Sequence, residues 1–229
     1  MSVKRRDFLI GAGALAATPA LAQVPATPQA PAVPEPTVLA PPAPGMVRVA
    51  LKTKEGTIVL DLNQEKAPIT AGNFLRYIDQ KRYDGATFYR ASRPPNVTDY
   101  GVIQGGLQNN PAKILKPIAH EPTSKTGLKH IDGTISMGRN APGTATSDFF
   151  ICLGDSAYLD ADPKAPGDNL GFAAFGRVVQ GMDVAKKILA LPTPGKAINP
   201  VMKGQILDPP VPITSARRVA APAASPAAP

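Results

Sequence analysis

Three short segments of this chain carry residue types that could do chemistry. They are Phe88–Arg90 (FYR), Gln104–Gly106 (QGG) and Gly133–Phe150 (GTISMGRNAPGTATSDFF). Arg90 supplies a permanent positive charge and a rigid fork of N–H donors. Gln104 carries a neutral amide, which can accept a hydrogen bond from an arginine and donate one to a substrate. Together they could stabilise charge that develops on an amide or on its carbonyl group.

Both residues also have a plainer interpretation. Arg90 could be an arginine on the solvent face of a strand. Gln104 could be a polar residue that ends a strand before a Gly-Gly bend. Residue type alone leaves these alternatives open.

The three segments, taken in this order, resemble the cyclophilin family of peptidyl-prolyl cis-trans isomerases. The resemblance extends from about Val47 to Leu191, and more loosely to about Arg218. It implies a closed eight-stranded antiparallel β-barrel with a helix over each open end. It also implies an isomerase that needs no cofactor, acts on proline-containing polypeptides and is a monomer.

The resemblance assigns a role to individual residues. Arg90 matches the family's catalytic arginine, and Gln104 matches the glutamine that orients it. The substrate proline needs an apolar socket, for which Phe150 and Leu159 match two positions, although either could be ordinary core. The resemblance places the other substrate-binding residues at the socket's aromatic rim, on its wall and along the backbone strip that pairs with the peptide: Tyr158, Phe172, Val102, Gly138, Arg139 and Asn140.

The chain also departs from the family pattern. Tyr89 stands where the family has histidine, and Asp148 replaces the usual glutamine before the two phenylalanines. The segment Ala91–Ile103 is longer than its counterpart, and Gly101–Val102 replaces a Phe-Met pair of the pocket wall. These changes keep a second function open, that of a proline-binding chaperone or interaction module with weak catalysis.

The first 22 residues have the features of an export signal in the expected order. Lys4–Leu9 (KRRDFL) contains a twin-arginine pair, and Ile10–Ala20 is apolar but shorter than the roughly 20 residues of a membrane span. Ala20–Ala22 is an A-x-A cleavage site. The sequence therefore predicts cleavage after Ala22, a periplasmic location and no stable membrane anchor after cleavage. The alternative is an ordinary amphipathic N-terminal helix.

The composition of the chain divides the remainder into three parts. Residues 23–45 are rich in Pro and Ala and are predicted to be a semi-rigid linker. Residues 46–218 are predicted to be the folded isomerase domain, and residues 219–229 a disordered Ala/Pro tail.

Hydrophobic periodicity predicts a mainly β domain with two helices. Val47–Thr53 and Thr57–Leu62 alternate apolar and polar residues as a strand pair does. Pro68 opens a helical pattern, and a second helix follows Gly181. This pattern favours a barrel or a sandwich, and only the resemblance selects the barrel. Further strands are predicted at Thr87–Ala91, Tyr100–Gly105, Gly133–Gly138, Asp148–Leu153 and Phe172–Val179, with a last strand pairing of Gln205–Leu207 and Pro212–Arg218.

Composition argues against several other functions. The net charge of +8, which falls to +6 without residues 1–22, is spread along the chain, and this gives nucleic-acid binding little support. Cys152 is the only cysteine, so no internal disulfide can form, and a small buried hydrophobe is expected there. His120 and His130 are the only histidines. They are expected on loops or at the surface, and no metal site is predicted.

Overall fold

The computed structural model describes residues 39–108 and 110–219. The predicted signal sequence, most of the predicted linker and nearly all of the predicted tail lie outside these ranges. Eight strands and three helices form the described part. The strands are β1 (Met46–Thr53), β2 (Gly56–Asn63), β3 (Thr87–Ser92), β4 (Gly101–Gly106), β5 (Thr134–Met137), β6 (Phe149–Leu153), β7 (Ala173–Gln180) and β8 (Ile206–Arg218); the helices are α1 (Pro68–Asp79), α2 (Thr123–Thr126) and α3 (Met182–Ala190).

The eight strands form the predicted closed antiparallel barrel, in the order β1-β2-β7-β5-β6-β4-β3-β8. The β1–β2 hairpin pairs Met46 with Asn63 and Thr53 with Gly56. β8 returns to pair with β1 and so closes the ring. Every strand therefore has a hydrogen-bonded neighbour on both sides.

The barrel interior is filled by the apolar residues that alternate along the strands. Phe74 of α1 joins this core, and its ring lies 5.2 Å from that of Phe149 and 5.3 Å from that of Phe175. α1 packs on β2, β7 and β8, whereas α3 packs on β2, β3, β4 and β6. The apolar face predicted for each helix is thus the face that contacts the barrel.

Two details differ from the expectations. β8 is a single strand of 13 residues rather than two paired segments. Its prolines Pro209 and Pro210 lie where the β3–β8 register shifts, because a residue without an N–H is tolerated at a bulge. The one-turn helix α2 was not predicted, since four residues are too few to show a helical period.

Candidate active site

A bulge in β3 directs two neighbouring side chains toward the same face. Phe88 pairs with Gly105 and Arg90 pairs with Gln104, so that Tyr89 is an additional residue in the strand. Phe88 is fully buried in the core, while Tyr89 and Arg90 are both half-buried outside it. Bulges re-aim side chains in this way and are common beside active sites.

The register of the sheet aligns three predicted site residues in one row. Gln104 of β4 lies opposite Arg90 of β3 on one side and opposite Phe150 of β6 on the other. Neighbouring strands are about 4.8 Å apart, so the row places the cation, the amide and the aromatic ring side by side. Val102 is half-buried and two residues before Gln104, hence on the same face of β4.

The Arg90 guanidinium is held by two glutamines. Nη1 donates to Oε1 of Gln104 over 2.8 Å, as the sequence predicted for this pair. Nε and Nη2 both donate to Oε1 of Gln205, over 2.8 and 2.6 Å. Gln205 was not predicted as a site residue. It lies 115 residues away in a segment outside the recognised motifs, and its position carries no local signal.

Arg90 remains an available cation in this arrangement. Both of its hydrogen-bond partners are neutral amides, so no carboxylate neutralises the charge. Burial lowers the pKa of the guanidinium, but arginine starts so high that it stays charged at neutral pH. Of its five N–H donors three are used, which leaves two for a ligand.

One predicted socket residue, Phe150, and another predicted substrate-binding residue, Phe172, form an aromatic pair. The ring of Phe150, only 6% exposed, meets the ring of Phe172 edge to face with 5.3 Å between centroids. Leu159 accepts the backbone hydrogen bond of Phe172 at 2.9 Å. The Arg139 guanidinium lies over the Phe172 ring, 5.4 Å from its centroid, and is itself fixed by a two-pronged ion pair with Asp168. The structure therefore brings the two predicted socket residues, Phe150 and Leu159, together with Phe172.

Tyr158 stands at the edge of this group and is 70% exposed, as a rim residue would be. Burial raises the pKa of its hydroxyl; Tyr100 adds to this shift and Arg90 opposes it. Tyr100 ends the long segment between β3 and β4, and its hydroxyl donates to the Asp155 carbonyl over 3.2 Å. At the other end Arg93 donates to the carbonyls of Leu189 and Leu191 at the C-terminal end of α3. Of the inserted segment, Tyr100 is thus the residue that approaches the rim.

His130 lies in a loop, as expected, but its side chain is buried behind Phe150. Its Nδ1 contacts Asp160 at 2.7 Å and its Nε2 contacts Ser136 at 2.9 Å, so both ring nitrogens have partners. The imidazole stacks on Phe150 at 6.0 Å. Burial lowers the pKa of His130, while Asp160 opposes that shift. A Ser-His-Asp row suggests hydrolysis, but Ser136 is fully buried and no substrate can reach it. The row instead supports the ring of Phe150.

Gln104 also lines a cavity of about 460 Å³. The predicted strip from Gly138 to Asn140 lines it, whereas Phe150, Leu159 and Phe172 do not. Two amides of this strip are engaged within the protein: that of Gly138 donates to the Asp148 carbonyl, and that of Asn140 to Thr144. A bound peptide would use the remaining backbone groups of the strip. Ile198 and Met202 also line the cavity.

Tyr89 and Asp148, two of the departures from the family pattern, contact each other in this cavity. The Tyr89 hydroxyl donates to Oδ2 of Asp148 over 3.3 Å. Oδ1 of Asp148 accepts from the Gln108 amide at 2.9 Å. Burial raises the pKa of the Asp148 carboxyl, and these hydrogen bonds only partly oppose the shift. The cavity floor therefore holds a carboxylate whose charged form is disfavoured.

This shift predicts how stability depends on pH at Asp148. Because the folded state binds the proton more tightly than the unfolded chain, stability is lost as the pH rises from the unfolded pKa, about 3.9, through the raised one. Asp148→Asn keeps an acceptor for the Gln108 amide but cannot ionise. We expect a higher melting temperature than wild type at pH 7 and equal values near pH 3, measured by thermal unfolding. A variant that is less stable than wild type at pH 7 would contradict this.

Three further features matter in the part of the chain that the structure describes: metal-binding groups, membrane-spanning helices and the thiol of Cys152. Among residues 39–108 and 110–219, no three or more His, Cys, Asp or Glu side chains are grouped to hold a metal ion. Within the same ranges, no helix has both the length and the apolar composition needed to cross a membrane. Cys152 is buried as expected, and burial raises the pKa of its thiol to about 12.

Comparison with known proteins identifies this architecture. Peptidyl-prolyl cis-trans isomerase cyp18 of Streptomyces antibioticus is 38% identical over 151 residues, which cover 65% of this chain and 86% of that protein. Peptidyl-prolyl cis-trans isomerase B of Escherichia coli is 34% identical over 149 residues, 63% of this chain and 85% of that one.

A solved structure agrees at the level of the fold. The crystal structure of a Cryptosporidium parvum cyclophilin type peptidyl-prolyl cis-trans isomerase superposes with a TM-score of 0.61 at 19% identity, covering 77% of this chain and 99% of that chain. The family model for cyclophilin type peptidyl-prolyl cis-trans isomerases matches residues 48–217. This match spans the barrel from β1 to β8, and the chain therefore belongs to the cyclophilin-type peptidyl-prolyl cis-trans isomerases.

Proposed function

We propose that this isomerase accelerates the isomerisation of X-Pro bonds in proteins that fold in the bacterial envelope. Arg90 is the catalytic residue and Gln104 orients it. The observation that carries this assignment is the Arg90 cation, which two neutral amides hold in the row of the sheet that continues to Phe150. The site thus combines a fixed, unneutralised charge with an apolar surface that fits a proline ring.

The reaction needs no bond to be cleaved. The cis and trans forms of an X-Pro bond differ by only about 0.5–1 kcal/mol, yet they exchange over roughly tens to hundreds of seconds. The barrier of about 18–20 kcal/mol arises because rotation breaks amide resonance. A catalyst must therefore bind the twisted amide more tightly than either planar form. Shortening roughly 100 s to about 1 ms requires about 7 kcal/mol of such preference.

Arg90 supplies part of this preference. In the twisted amide the proline nitrogen regains its lone pair and becomes a hydrogen-bond acceptor. The two unused N–H groups of Arg90 can donate to that nitrogen or to the neighbouring carbonyl oxygen. Because the guanidinium is partly buried and already held by Gln104, the interaction is stronger than in water and costs little reorganisation.

The apolar residues hold the proline ring while the amide turns. Phe150, Leu159 and Phe172 form the socket, with Tyr158 at the rim and Val102 on the wall. The strip from Gly138 to Asn140 binds the extended peptide through its backbone, which gives affinity without demanding particular side chains. The enzyme is therefore expected to tolerate many residues around its proline.

The alternative function is that of a proline-binding chaperone or interaction module with weak catalysis. It predicts that peptides bind without faster exchange. The pairing of Arg90 with Gln104 favours catalysis, because a binding surface for proline needs no fixed cation.

The proposed location predicts how the chain is processed. The A-x-A at Ala20–Ala22 leads us to expect a mature protein that begins at Gln23, detected by mass spectrometry in the periplasmic fraction. The Arg5→Lys, Arg6→Lys double variant is the matched control. It keeps the charge but removes the twin-arginine pair, and it should leave the full-length chain in the cytoplasm. Wild-type protein with an intact Met1, or found only in the cytoplasm, would contradict export.

A further inference from the structure

We propose that Gln205 is a second positioning residue for Arg90, which sets the guanidinium plane from the side opposite Gln104. The proposal rests on the catalytic role of Arg90 proposed above. It concerns a residue of the segment between α3 and β8, outside every motif by which the family was recognised.

The hydrogen bonds assign different tasks to the two glutamines. Gln104 accepts from one nitrogen only, and a single contact lets the guanidinium rotate about it. Gln205 accepts from Nε and Nη2 with the same oxygen, at 2.8 and 2.6 Å. Three contacts from two sides define a plane. The two unused N–H groups, one on Nη1 and one on Nη2, then point in fixed directions.

Gln205 is itself well placed to hold a neighbour. Its carbonyl accepts from the Ala91 amide at 2.9 Å, which ties it to the residue after Arg90. Its backbone amide donates to the Met202 carbonyl at 3.0 Å, and its side-chain Nε2 donates to the Val201 carbonyl at 3.3 Å. Backbone and side chain are thus both anchored, so that Arg90 is positioned by a residue with little freedom of its own.

The chemical identity of the Gln205 side chain matters as well as its place. A carboxylate at the same position would also accept from Nε and Nη2, but it would neutralise the cation. A neutral oxygen fixes the geometry and leaves the charge for the reaction. This distinction separates positioning from simple stabilisation of the fold.

The test uses Gln205→Met, which keeps the length of the side chain and removes both polar atoms. We expect kcat for a proline peptide to fall about tenfold, as for a lost hydrogen bond to a charged group, with KM within twofold. The second readout is the exchange of the Arg90 Nε–H with water, followed by NMR and assigned with Arg90→Lys. It should become at least tenfold faster than in wild type.

Two further variants complete the test. Gln205→Glu should retain the slow Nε–H exchange yet lose turnover, because geometry is kept and the charge is neutralised. Gln80→Met is the matched control, since Gln80 accepts from Arg82 at 2.6 Å on the exposed surface. It should leave both readouts at their wild-type values. If Gln205→Met does not fold, Gln205→Glu still tests the proposal, because it should keep the slow exchange of the Arg90 Nε–H while turnover is lost.

The outcomes separate this proposal from the one on which it rests. Wild-type kcat in Gln205→Met overturns the positioning role, whether or not the Nε–H exchange changes. Full turnover in Gln205→Glu would overturn the requirement for a neutral acceptor. Wild-type turnover in Arg90→Ala would instead overturn the catalytic assignment of Arg90. The Nε–H exchange would in that case still report whether Gln205 holds the side chain.

Discussion

Arg90→Ala is expected to lower kcat/KM for a proline peptide about 100- to 1,000-fold, the loss typical of one preorganised donor to a developing charge. Alanine removes the only cation in the row formed with Gln104 and Phe150 and leaves two amide oxygens without their donor. The measurement is cis–trans exchange of a short X-Pro peptide by NMR with and without enzyme. Because Arg90 lies outside the barrel core, thermal stability should change little.

Two other substitutions interpret that result. Arg90→Lys should also lose most activity, since a point charge cannot engage both glutamines as a planar fork does. Arg218→Ala is the control, because it removes an arginine whose ion pair with Asp79 lies on the exposed surface. It should exchange the peptide at the wild-type rate. An exchange rate near wild type in Arg90→Ala would remove Arg90 from the mechanism.

Phe149→Ala is expected to cost about 3–5 kcal/mol of the free energy of unfolding. Phe149 is fully buried, and its ring lies within 5.2–5.7 Å of Phe74, Tyr83 and Phe88. Deleting it leaves a cavity where β3, β6 and α1 meet. Since a domain of this kind has only about 5–15 kcal/mol of stability, much of it would be lost. Urea denaturation followed by circular dichroism measures the change.

Two further variants provide the comparison for this prediction. Phe149→Leu keeps most of the volume and should cost clearly less than the alanine variant. Ile69→Ala, at an exposed position of α1, should change the free energy of unfolding by less than about 1 kcal/mol. A small effect of Phe149→Ala would mean that the aromatic cluster does not hold the barrel together.

The sequence predicted those parts of the fold that have a local signature. The alternation of β1 and β2 and the apolar face of α1 are local patterns, and the structure confirms these elements near the predicted bounds. The closing pair of β1 with β8 joins distant segments and has no pattern in the sequence. It was reached only through the family resemblance. β8 looked like two strands because its internal prolines interrupt the alternation.

The site residues also differ in whether a local sequence pattern could predict them. Arg90, Gln104 and Phe150 belong to motifs, and the register of the sheet places them in one row. Gln205 and the burial of His130 could not be predicted, because each depends on partners brought together only by the folded chain. Asp160 lies 30 residues from His130, and Gln205 lies 115 residues from Arg90. Contacts at such separation leave no trace in residue spacing.

Closure of the barrel has a consequence for an enzyme whose proposed substrates are incompletely folded chains. Such chains expose extended segments that add readily to an unpaired strand edge and so begin aggregation. Here β8 pairs with β1, and each of the eight strands has both edges occupied. A client polypeptide therefore meets no open sheet edge on the barrel to which it could add as a ninth strand. It can dock in the groove, be isomerised and leave without being drawn into the sheet of the enzyme.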